Sequence, residues 1–116
     1  MPFIRLSVSA GYNDSQKYYI MKSVSEIVAE GISKPERAVM VEKSYTDIIS
    51  GGEKGPAAFA EIRSIGGLNR DNNESIMKGV SEILNDTLNI PGDSFYANFM
   101  DVSREDWGVD NRTFAS

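Results

Sequence analysis

Histidine and cysteine are both absent from the 116-residue sequence. Without histidine, the chain cannot use a Ser-His-Asp triad, histidine-ligated zinc or an imidazole base near neutral pH. Without cysteine, it cannot form disulfides, thiolate nucleophiles, iron–sulfur ligands or a CxxC redox site. Any enzyme built from this sequence must therefore use carboxylates, hydroxyls, amines or the chain terminus.

Long apolar runs and an excess of positive charge are also absent. No apolar run approaches the roughly 20 residues of a membrane helix, and residues 1–5 lack the basic and apolar segments of a signal peptide. The chain has 12 Lys and Arg against 17 Asp and Glu, a net charge of −5, which argues against binding along nucleic-acid phosphates. The sequence thus predicts a cytoplasmic protein without nucleic-acid or membrane partners.

Length and hydrophobic spacing indicate the architecture. The 116 residues, 41% hydrophobic and 25% charged, are typical of one globular domain, residues 1–116. Hydrophobic residues alternate in some segments and recur with the helical period in others, which divides the chain into two strand–helix–strand pseudo-repeats, about 2–56 and 57–116. A glycine-rich loop is predicted over 50–56. The predicted elements are strands over 2–10, 38–43, 57–65 and 95–102, and helices over 14–30 and 72–88.

Two such units predict an α+β fold, a four-stranded mixed sheet with both helices on one face. Ile4, Leu6 and Val8 alternate along the first strand and are expected to face the helices, leaving Phe3 and Arg5 on the other face. That second face mixes apolar and polar side chains, so it is neither a second core nor a fully solvated surface. Coverage by a neighbouring subunit explains such a face, and the sequence predicts an oligomer.

Pro2 is the candidate base. In a chain without histidine, the α-amino group has the intrinsic pKa closest to neutrality, at about 8. A small residue after the initiator methionine favours removal of Met1, which exposes the rigid secondary amine of Pro2. An apolar pocket, which Phe3 and Ile4 permit, lowers the pKa of that amine and leaves it neutral. The alternative is that Pro2 simply begins an edge strand.

Three further features offer groups for a polar substrate, each with a structural alternative. Tyr96 and Asn98 share one strand face and either orient a substrate, satisfy each other or make a subunit contact. Lys34 follows the first helix, where a cation either complements the helix C-terminus or pairs with a substrate carboxylate. The run 64–67 ends a strand with two glycines, which either form a turn or let backbone N–H groups face a ligand.

Two other segments lack a binding motif. Residues 51–55 are rich in glycine but do not have P-loop spacing, and no Ser or Thr follows Lys54. Acidic residues cluster near the C-terminus without the glycine and spacing of a calcium loop. They are Asp101, Glu105, Asp106 and Asp110. The sequence therefore predicts neither nucleotide nor metal binding, and no cofactor.

Five short motifs lie in order along almost the whole chain: Met1–Ile4, Lys34–Pro35, Ser64–Gly67, Asp93–Phe99 and Asn111–Ala115. Each is weak alone, but their order and spacing together resemble the macrophage migration inhibitory factor family of the tautomerase superfamily. The resemblance implies a β-α-β-β-α-β fold assembled as a homotrimer whose sheets surround a central channel. Such a channel accounts for the mixed second face.

The resemblance also implies an activity and its residues. Pro2 becomes the catalytic base of a cofactor-independent keto–enol tautomerase, moving a proton between the α-carbon and the enol oxygen of an aromatic 2-keto acid such as phenylpyruvate. Dopachrome tautomerase activity is a further implied activity. Lys34 binds the substrate carboxylate. The implied pocket residues are Ser64 and Ile65 from the same subunit, Tyr96 and Asn98 from the adjacent subunit, and the apolar wall Phe3, Trp107, Val109 and Phe114.

Several positions depart from the family pattern. Ala38 stands where animal members typically have tyrosine, which opens one edge of the pocket. The run 107–109 is Trp-Gly-Val where they have Val-Gly-Trp, and Arg63 stands where many have histidine. The CxxC motif linked to thiol oxidoreductase activity in animal members falls on Ala57 and Ala60. We therefore expect that redox activity to be absent.

Two non-enzymatic functions remain as alternatives. One is a cytokine-like ligand that acts through surface contacts and retains a vestigial pocket. The other is a ferredoxin-like regulatory module that binds a small metabolite without turnover. Replacing Pro2 distinguishes the enzyme from the surface ligand, because the ligand keeps its function if the trimer survives.

Overall fold

The computed structural model describes residues 2–116. Its strands and helices are β1 (Phe3–Val8), α1 (Asp14–Gly31), β2 (Met40–Tyr45), β3 (Ile49–Ser50), β4 (Glu53–Lys54), β5 (Ala58–Ser64), α2 (Arg70–Leu88), β6 (Phe95–Asp101), β7 (Gly108–Val109) and β8 (Arg112–Thr113). The main sheet has the order β2-β1-β5-β6. β1 runs parallel to β2 and antiparallel to β5, and β5 runs parallel to β6. The predicted four-stranded mixed sheet is confirmed.

Both helices cover one face of this sheet, as the alternation along the first strand predicts. The buried core joins that strand face to one stripe on each helix. It includes Ile4, Leu6 and Val8 from β1, Ile20, Val24 and Val28 from α1, and Ile76, Val80 and Leu84 from α2. Each fully buried side chain of this size contributes about 1.5–3 kcal/mol. Within residues 2–116, neither helix combines the length and hydropathy needed to cross a bilayer.

A capping box begins α1 at Asn13. The Oδ1 atom of Asn13 accepts a hydrogen bond from the N–H of Gln16 at 2.8 Å, and the Oε1 atom of Gln16 accepts from the N–H of Asn13 at 3.0 Å. These bonds satisfy donors that the first helical turn leaves free. The helix ends at Gly31, one residue beyond the prediction. A Cβ atom at Gly31 would lie 2.5 Å from Cγ1 of Ile76, so this glycine allows the two helices to approach.

Two short ribbons replace predicted irregular segments. β3 and β4 pair across Gly51 and Gly52, whose φ angles are 62° and 78°. β7 and β8 pair across Asp110 and Asn111, with φ angles of 52° and 66°. Positive φ at both central residues is typical of the type I′ turn that closes a tight hairpin. The expectation of a simple loop over 50–56 is therefore wrong, because the Gly-Gly pair forms a hairpin turn.

The second predicted strand is also displaced along the chain. A 3₁₀ turn occupies Glu36–Ala38, and β2 begins at Met40 instead of residue 38 and continues to Tyr45. This turn carries the chain from the helix layer into the sheet. It lies between Lys34 and the beginning of β2, so it affects where the candidate lysine is held.

The sheet face opposite the helices, which we call the outer face, carries three rows of side chains across the four strands. The first row is Met40, Phe3, Arg63 and Met100; the second is Glu42, Arg5, Glu61 and Asn98; the third is Ser44, Ser7, Phe59 and Tyr96. In the second row, Nε of Arg5 lies 2.6 Å from Oε2 of Glu42, and Nη1 of Arg5 lies 3.4 Å from Oε2 of Glu61. The outer face is thus mixed, as predicted, with an ion-pair network across its middle.

Candidate active site

Pro2 is buried immediately before β1. Its carbonyl oxygen accepts a hydrogen bond from the N–H of Met40 at 3.0 Å, which fixes the beginning of β1 against β2. Because β1 lies between β2 and β5 in the sheet, the alternative in which Pro2 begins an edge strand is wrong. Pro2 thus lies at the end of a central strand, next to the core.

Ser64 lies across from Pro2 when the β1–β5 register is continued by one residue. The Ser64 side chain is buried, and its Oγ donates a hydrogen bond to the carbonyl oxygen of Gly66 at 2.8 Å. The Ser64 carbonyl accepts from the N–H of Val102 at 2.9 Å, and Oδ1 of Asp101 accepts from the N–H of Gly66 at 2.9 Å. These bonds hold the chain after β5 in place beside Pro2.

The predicted glycine run bends sharply after Ile65. Gly66 and Gly67 have φ angles of 74° and 79°, a region that glycine enters without the penalty a Cβ imposes. A Cβ at Gly67 would also lie 2.9 Å from Cβ of Ile32. Ile65 is half-buried at this bend, and the pocket role assigned to Ser64 and Ile65 stays a prediction.

Lys34 lies at the same end of the sheet, on the side of the helices. It follows α1 by three residues, and its backbone N–H donates to the carbonyl of Ala29 at 2.9 Å. Six residues later, Met40 is hydrogen-bonded to Pro2. The Lys34 side chain is exposed, and within residues 2–116 it forms no salt bridge. Its ammonium group is therefore available to a carboxylate.

Tyr96 and Asn98 lie far from Pro2 in the same chain. Both are exposed on the outer face of β6, Tyr96 to 63%. The β6 residue level with Pro2 is Asp101, which pairs with Ser64. At about 3.3 Å per strand residue, Tyr96 lies roughly 17 Å along the sheet from that level. One chain does not bring these groups together, and their entry from an adjacent subunit stays a prediction.

The predicted apolar wall divides between β1 and the C-terminal hairpin. Phe3 follows Pro2 and is half-buried on the outer face. Trp107 and Phe114 are half-buried and joined by a hydrogen bond of 3.0 Å from the Phe114 N–H to the Trp107 carbonyl. Val109 is 46% exposed on β7. Because β6 ends level with Pro2, this hairpin leaves the sheet at the Pro2 end.

Two cations that sequence reasoning did not select as site residues have unusual surroundings. Nζ of Lys43 lies 3.0 Å from the centroid of the Tyr12 ring and has no hydrogen-bond partner within residues 2–116. Burial, with a smaller effect of Lys17, lowers the pKa of Lys43 to about 8. Lys43 pairs with Leu6 in the sheet, so it lies outside the Pro2 end. The second cation is Arg63, which is half-buried between Phe3 and Met100 on the outer face and forms no salt bridge within residues 2–116.

Cavities and acidic groups point to no further catalytic group in the described chain. A surface cavity of about 610 Å³ lies beside Ser9, Ile49 and Pro56, at the opposite end of β1, and no candidate residue lines it. Within residues 2–116, no group of three or more acidic side chains is placed to hold a metal ion. The polar groups at the Pro2 end include the Lys34 ammonium group, the Ser64 hydroxyl and the backbone amides of the glycine run.

The element order and the sheet topology are those of the tautomerase superfamily. The sequence model for "Macrophage migration inhibitory factor (MIF)" matches residues 1–115, and the chain belongs to this family. It is 36% identical over 95 residues to a macrophage migration inhibitory factor homolog from Trichuris trichiura, covering 81% of this chain and 83% of the relative.

Solved structures agree with this assignment. A macrophage migration inhibitory factor-like protein from Entamoeba histolytica superposes with a TM-score of 0.92 at 27% identity, over 97% of this chain and 98% of the other. The macrophage migration inhibitory factor of Toxoplasma gondii gives a TM-score of 0.92 at 28% identity, over 97% and 99% of the two chains. The similarity therefore extends over nearly the whole fold.

Proposed function

We propose that this chain is a cofactor-independent keto–enol tautomerase that acts on small aromatic 2-keto acids such as phenylpyruvate. The observation that carries the proposal is the burial of Pro2 at the beginning of a central strand. A free α-amino group has a pKa of about 8, and burial disfavours its charged form. The amine of a mature chain beginning at Pro2 is then neutral near pH 7 and able to act as a base.

The proposed reaction needs Met1 to be removed. While Met1 is attached, the Pro2 nitrogen is a tertiary amide without a basic lone pair. Once it is free, the amine takes a proton from the carbon next to the keto group, and the C–H electron pair becomes the C=C bond of the enolate. The same proton is then delivered to the enolate oxygen, which gives the enol. Ketonisation is the reverse, and the proline ring keeps the nitrogen in one position throughout.

Lys34 is the proposed carboxylate-binding residue. Its ammonium group is exposed at the Pro2 end and forms no salt bridge within the described residues. A lysine acts as a point charge for an anion and tolerates a range of approach angles. When Lys34 pairs with the carboxylate, the carbon that loses the proton, next to the keto group, faces Pro2. Ser64 and Ile65 line the other side.

We infer that the complete site forms between subunits of a homotrimer. The outer face is open along its whole length, and Tyr96 lies roughly 17 Å along the sheet from Pro2 in one chain. A neighbouring subunit that packs against this face brings its Tyr96 and Asn98 to the Pro2 end. Light scattering after size exclusion is expected to give three times the chain mass of 12.8 kDa.

The experiment that tests the proposal follows ketonisation of enol phenylpyruvate by ultraviolet absorbance, with protein whose intact mass shows loss of Met1. Pro2→Gly keeps a free primary amine but loses the ring that fixes its position, so we expect kcat/KM to fall. A second variant with one alanine inserted before Pro2 keeps the ring but turns its nitrogen into an amide, and we expect kcat/KM to fall by at least about 100-fold, the usual contribution of a positioned general base.

Three results would contradict the proposal in different ways. No activity in the mass-verified parent rejects this substrate class and favours a binding protein. Equal activity in the parent and both variants means that another residue is the base. Activity lost in Pro2→Gly but kept in the alanine-extended chain means that the ring matters and the free amine does not. Circular dichroism and trimer mass serve as controls for folding in each case.

A further inference from the structure

Lys43 carries an amine that the proposed reaction at Pro2 does not use. In β2 it pairs with the core residue Leu6, so its side chain points to the helix side of the sheet, away from the outer face. Its Nζ atom lies 3.0 Å from the centroid of the Tyr12 ring, buried by atoms of its own chain and without a hydrogen-bond partner within residues 2–116. A subunit that packs on the outer face therefore leaves this contact in place.

The surroundings of this amine disfavour its ammonium form. A buried ammonium group loses hydration, and a tyrosine ring attracts a cation without supplying the hydrogen bonds that water gave. Lys17 of α1 adds a second positive charge, and its own ion pair, with Oδ1 of Asp14 at 3.8 Å, is exposed. Burial, with a smaller effect of Lys17, thus lowers the pKa of Lys43 to about 8. Near pH 7.4, about one such amine in five is neutral, against roughly one in a thousand for an exposed lysine.

No carboxylate compensates the charge of Lys43 in the part of the chain that the structure describes. Lys43 forms no salt bridge within residues 2–116. Glu42, the preceding residue on β2, points to the outer face, where its Oε2 lies 2.6 Å from Nε of Arg5. The position therefore combines an amine that is often neutral with a second cation, Lys17. A small electrophile that adds to the neutral amine and becomes an anion meets both a nucleophile and a counter-ion there.

We propose that Lys43 is a reversible carbon dioxide site, at which CO2 adds to the side-chain amine and forms a carbamate paired with Lys17. The Nζ lone pair forms a bond to the carbon of CO2, one C=O electron pair moves onto oxygen, and the nitrogen releases one proton to solvent. CO2 is small and apolar, and it has a short path to this amine because Tyr12 and Lys43 are only half-buried and β2 is an edge strand.

The charge of the carbamate decides where the new group lies. The face of an aromatic ring is negative, so it repels an anion that it attracted as a cation. The carbamate therefore turns from Tyr12 towards Lys17, which attracts it. The site is independent of the proposed tautomerase function, because Lys43 lies outside the Pro2 end of the sheet.

The test exposes the whole protein to ¹³C-labelled bicarbonate and CO2 near pH 7.4 and traps carbamates with triethyloxonium, which ethylates their oxygen. Peptide mass spectrometry then reads each lysine separately from the N-terminal amine. We expect trapped Lys43 to exceed trapped Lys78, an exposed lysine of α2, by at least about tenfold, since the neutral fractions of the two amines differ by roughly 200-fold. In guanidinium chloride, the unfolded parent is expected to lose this difference.

Three variants test the surroundings of the amine. Lys17→Gln removes the counter-ion and also lowers the neutral fraction of Lys43, so both effects are expected to reduce trapping at Lys43, by at least about threefold. Tyr12→Ala lets water reach Nζ and is expected to reduce trapping in the same way. Lys54→Gln is the matched control, because it removes one exposed positive charge from β4, and trapping at Lys43 is expected to stay unchanged.

Several results would overturn the proposal. Trapped Lys43 that does not exceed trapped Lys78 in the folded parent removes the site. A preference for Lys43 that survives unfolding shows that the fold does not create it. Equal losses in Lys17→Gln and Lys54→Gln assign the effect to net charge and not to Lys17. Circular dichroism checks the folding of each variant, and turnover at Pro2 enters none of these measurements, so the proposed function stands or fails separately.

Discussion

Gly79 allows the two helices to pack closely above the sheet. Adding a methyl group at this position tests how closely α1 and α2 approach each other. A Cβ atom at Gly79 would lie 2.9 Å from Cγ2 of Ile27 and 3.4 Å from both Cγ1 and Cδ1 of that residue. Overpacking of this kind costs about 1–3 kcal/mol. Alanine is also a better helix former than glycine by about 1 kcal/mol. We therefore expect Gly79→Ala to lower the free energy of unfolding by about 1 kcal/mol.

The two effects can be separated by removing the side chain that the methyl group meets. In an Ile27→Ala background, the collision is absent and the helix preference remains, so Gly79→Ala is expected to raise stability by about 1 kcal/mol. The effect of one substitution thus changes sign between two backgrounds, which corresponds to a coupling of about 2 kcal/mol.

Urea unfolding followed by circular dichroism measures all four proteins of this cycle. Protein concentration is held constant, because the stability of an oligomer depends on it. If Gly79→Ala stabilises the parent as much as it stabilises Ile27→Ala, the helices do not approach at this point and the reasoning is refuted.

Three further predictions concern the pKa of Lys43, the helix cap Asn13 and the candidate carboxylate-binding residue Lys34. Because burial and Lys17 lower the pKa of Lys43 from 10.5 to about 8, the unfolded chain holds more protons between these values, and stability rises with pH across that range. In urea unfolding, the free energy of unfolding of the parent is therefore expected to rise relative to that of Lys43→Met between pH 7 and pH 9.5. A difference between the two proteins that is the same at both pH values contradicts this. Asn13→Ala removes the side-chain hydrogen bond to the N–H of Gln16 and is expected to lower the free energy of unfolding by about 1 kcal/mol in thermal unfolding. An unchanged unfolding temperature contradicts this. Lys34→Gln is expected to raise KM for enol phenylpyruvate by roughly tenfold, while unfolding stability changes by less than about 0.5 kcal/mol; an unchanged KM rejects its role.

The main elements of the fold could be predicted because their hydrophobic spacing is regular. Ile4, Leu6 and Val8 face the helices as their alternation predicts. The errors fall where spacing carries little information. A hairpin with two residues in each strand is too short to show alternation, and its signal was the Gly51-Gly52 pair, which favours a tight turn. The glycine at the end of α1 predicted the helix end to within one residue, and the structure shows that it also allows the contact with the second helix.

The candidate site could be predicted only in part. Pro2, Lys34 and Ser64 lie at one end of the sheet, and the order of the elements is enough to place them there. Arg63 was noted only as a departure from a family pattern. Its neighbours on the sheet, Phe3 and Met100, follow from the strand register. A sequence without its register does not reveal that Arg5 lies between two glutamates, whereas Arg63 has no salt bridge within residues 2–116.

The sheet and the proposed chemistry use different atoms of Pro2. The hydrogen bond at this position uses the carbonyl oxygen, which accepts from Met40, and any residue supplies that atom. The ladder of β1 begins one residue later, at Phe3. The sheet therefore does not require proline here, whereas a rigid secondary amine at the beginning of the chain is what the proposed base requires. Pro2→Ala preserves the carbonyl contact and a free primary amine, so loss of turnover with an unchanged trimer assigns the role to the proline nitrogen itself.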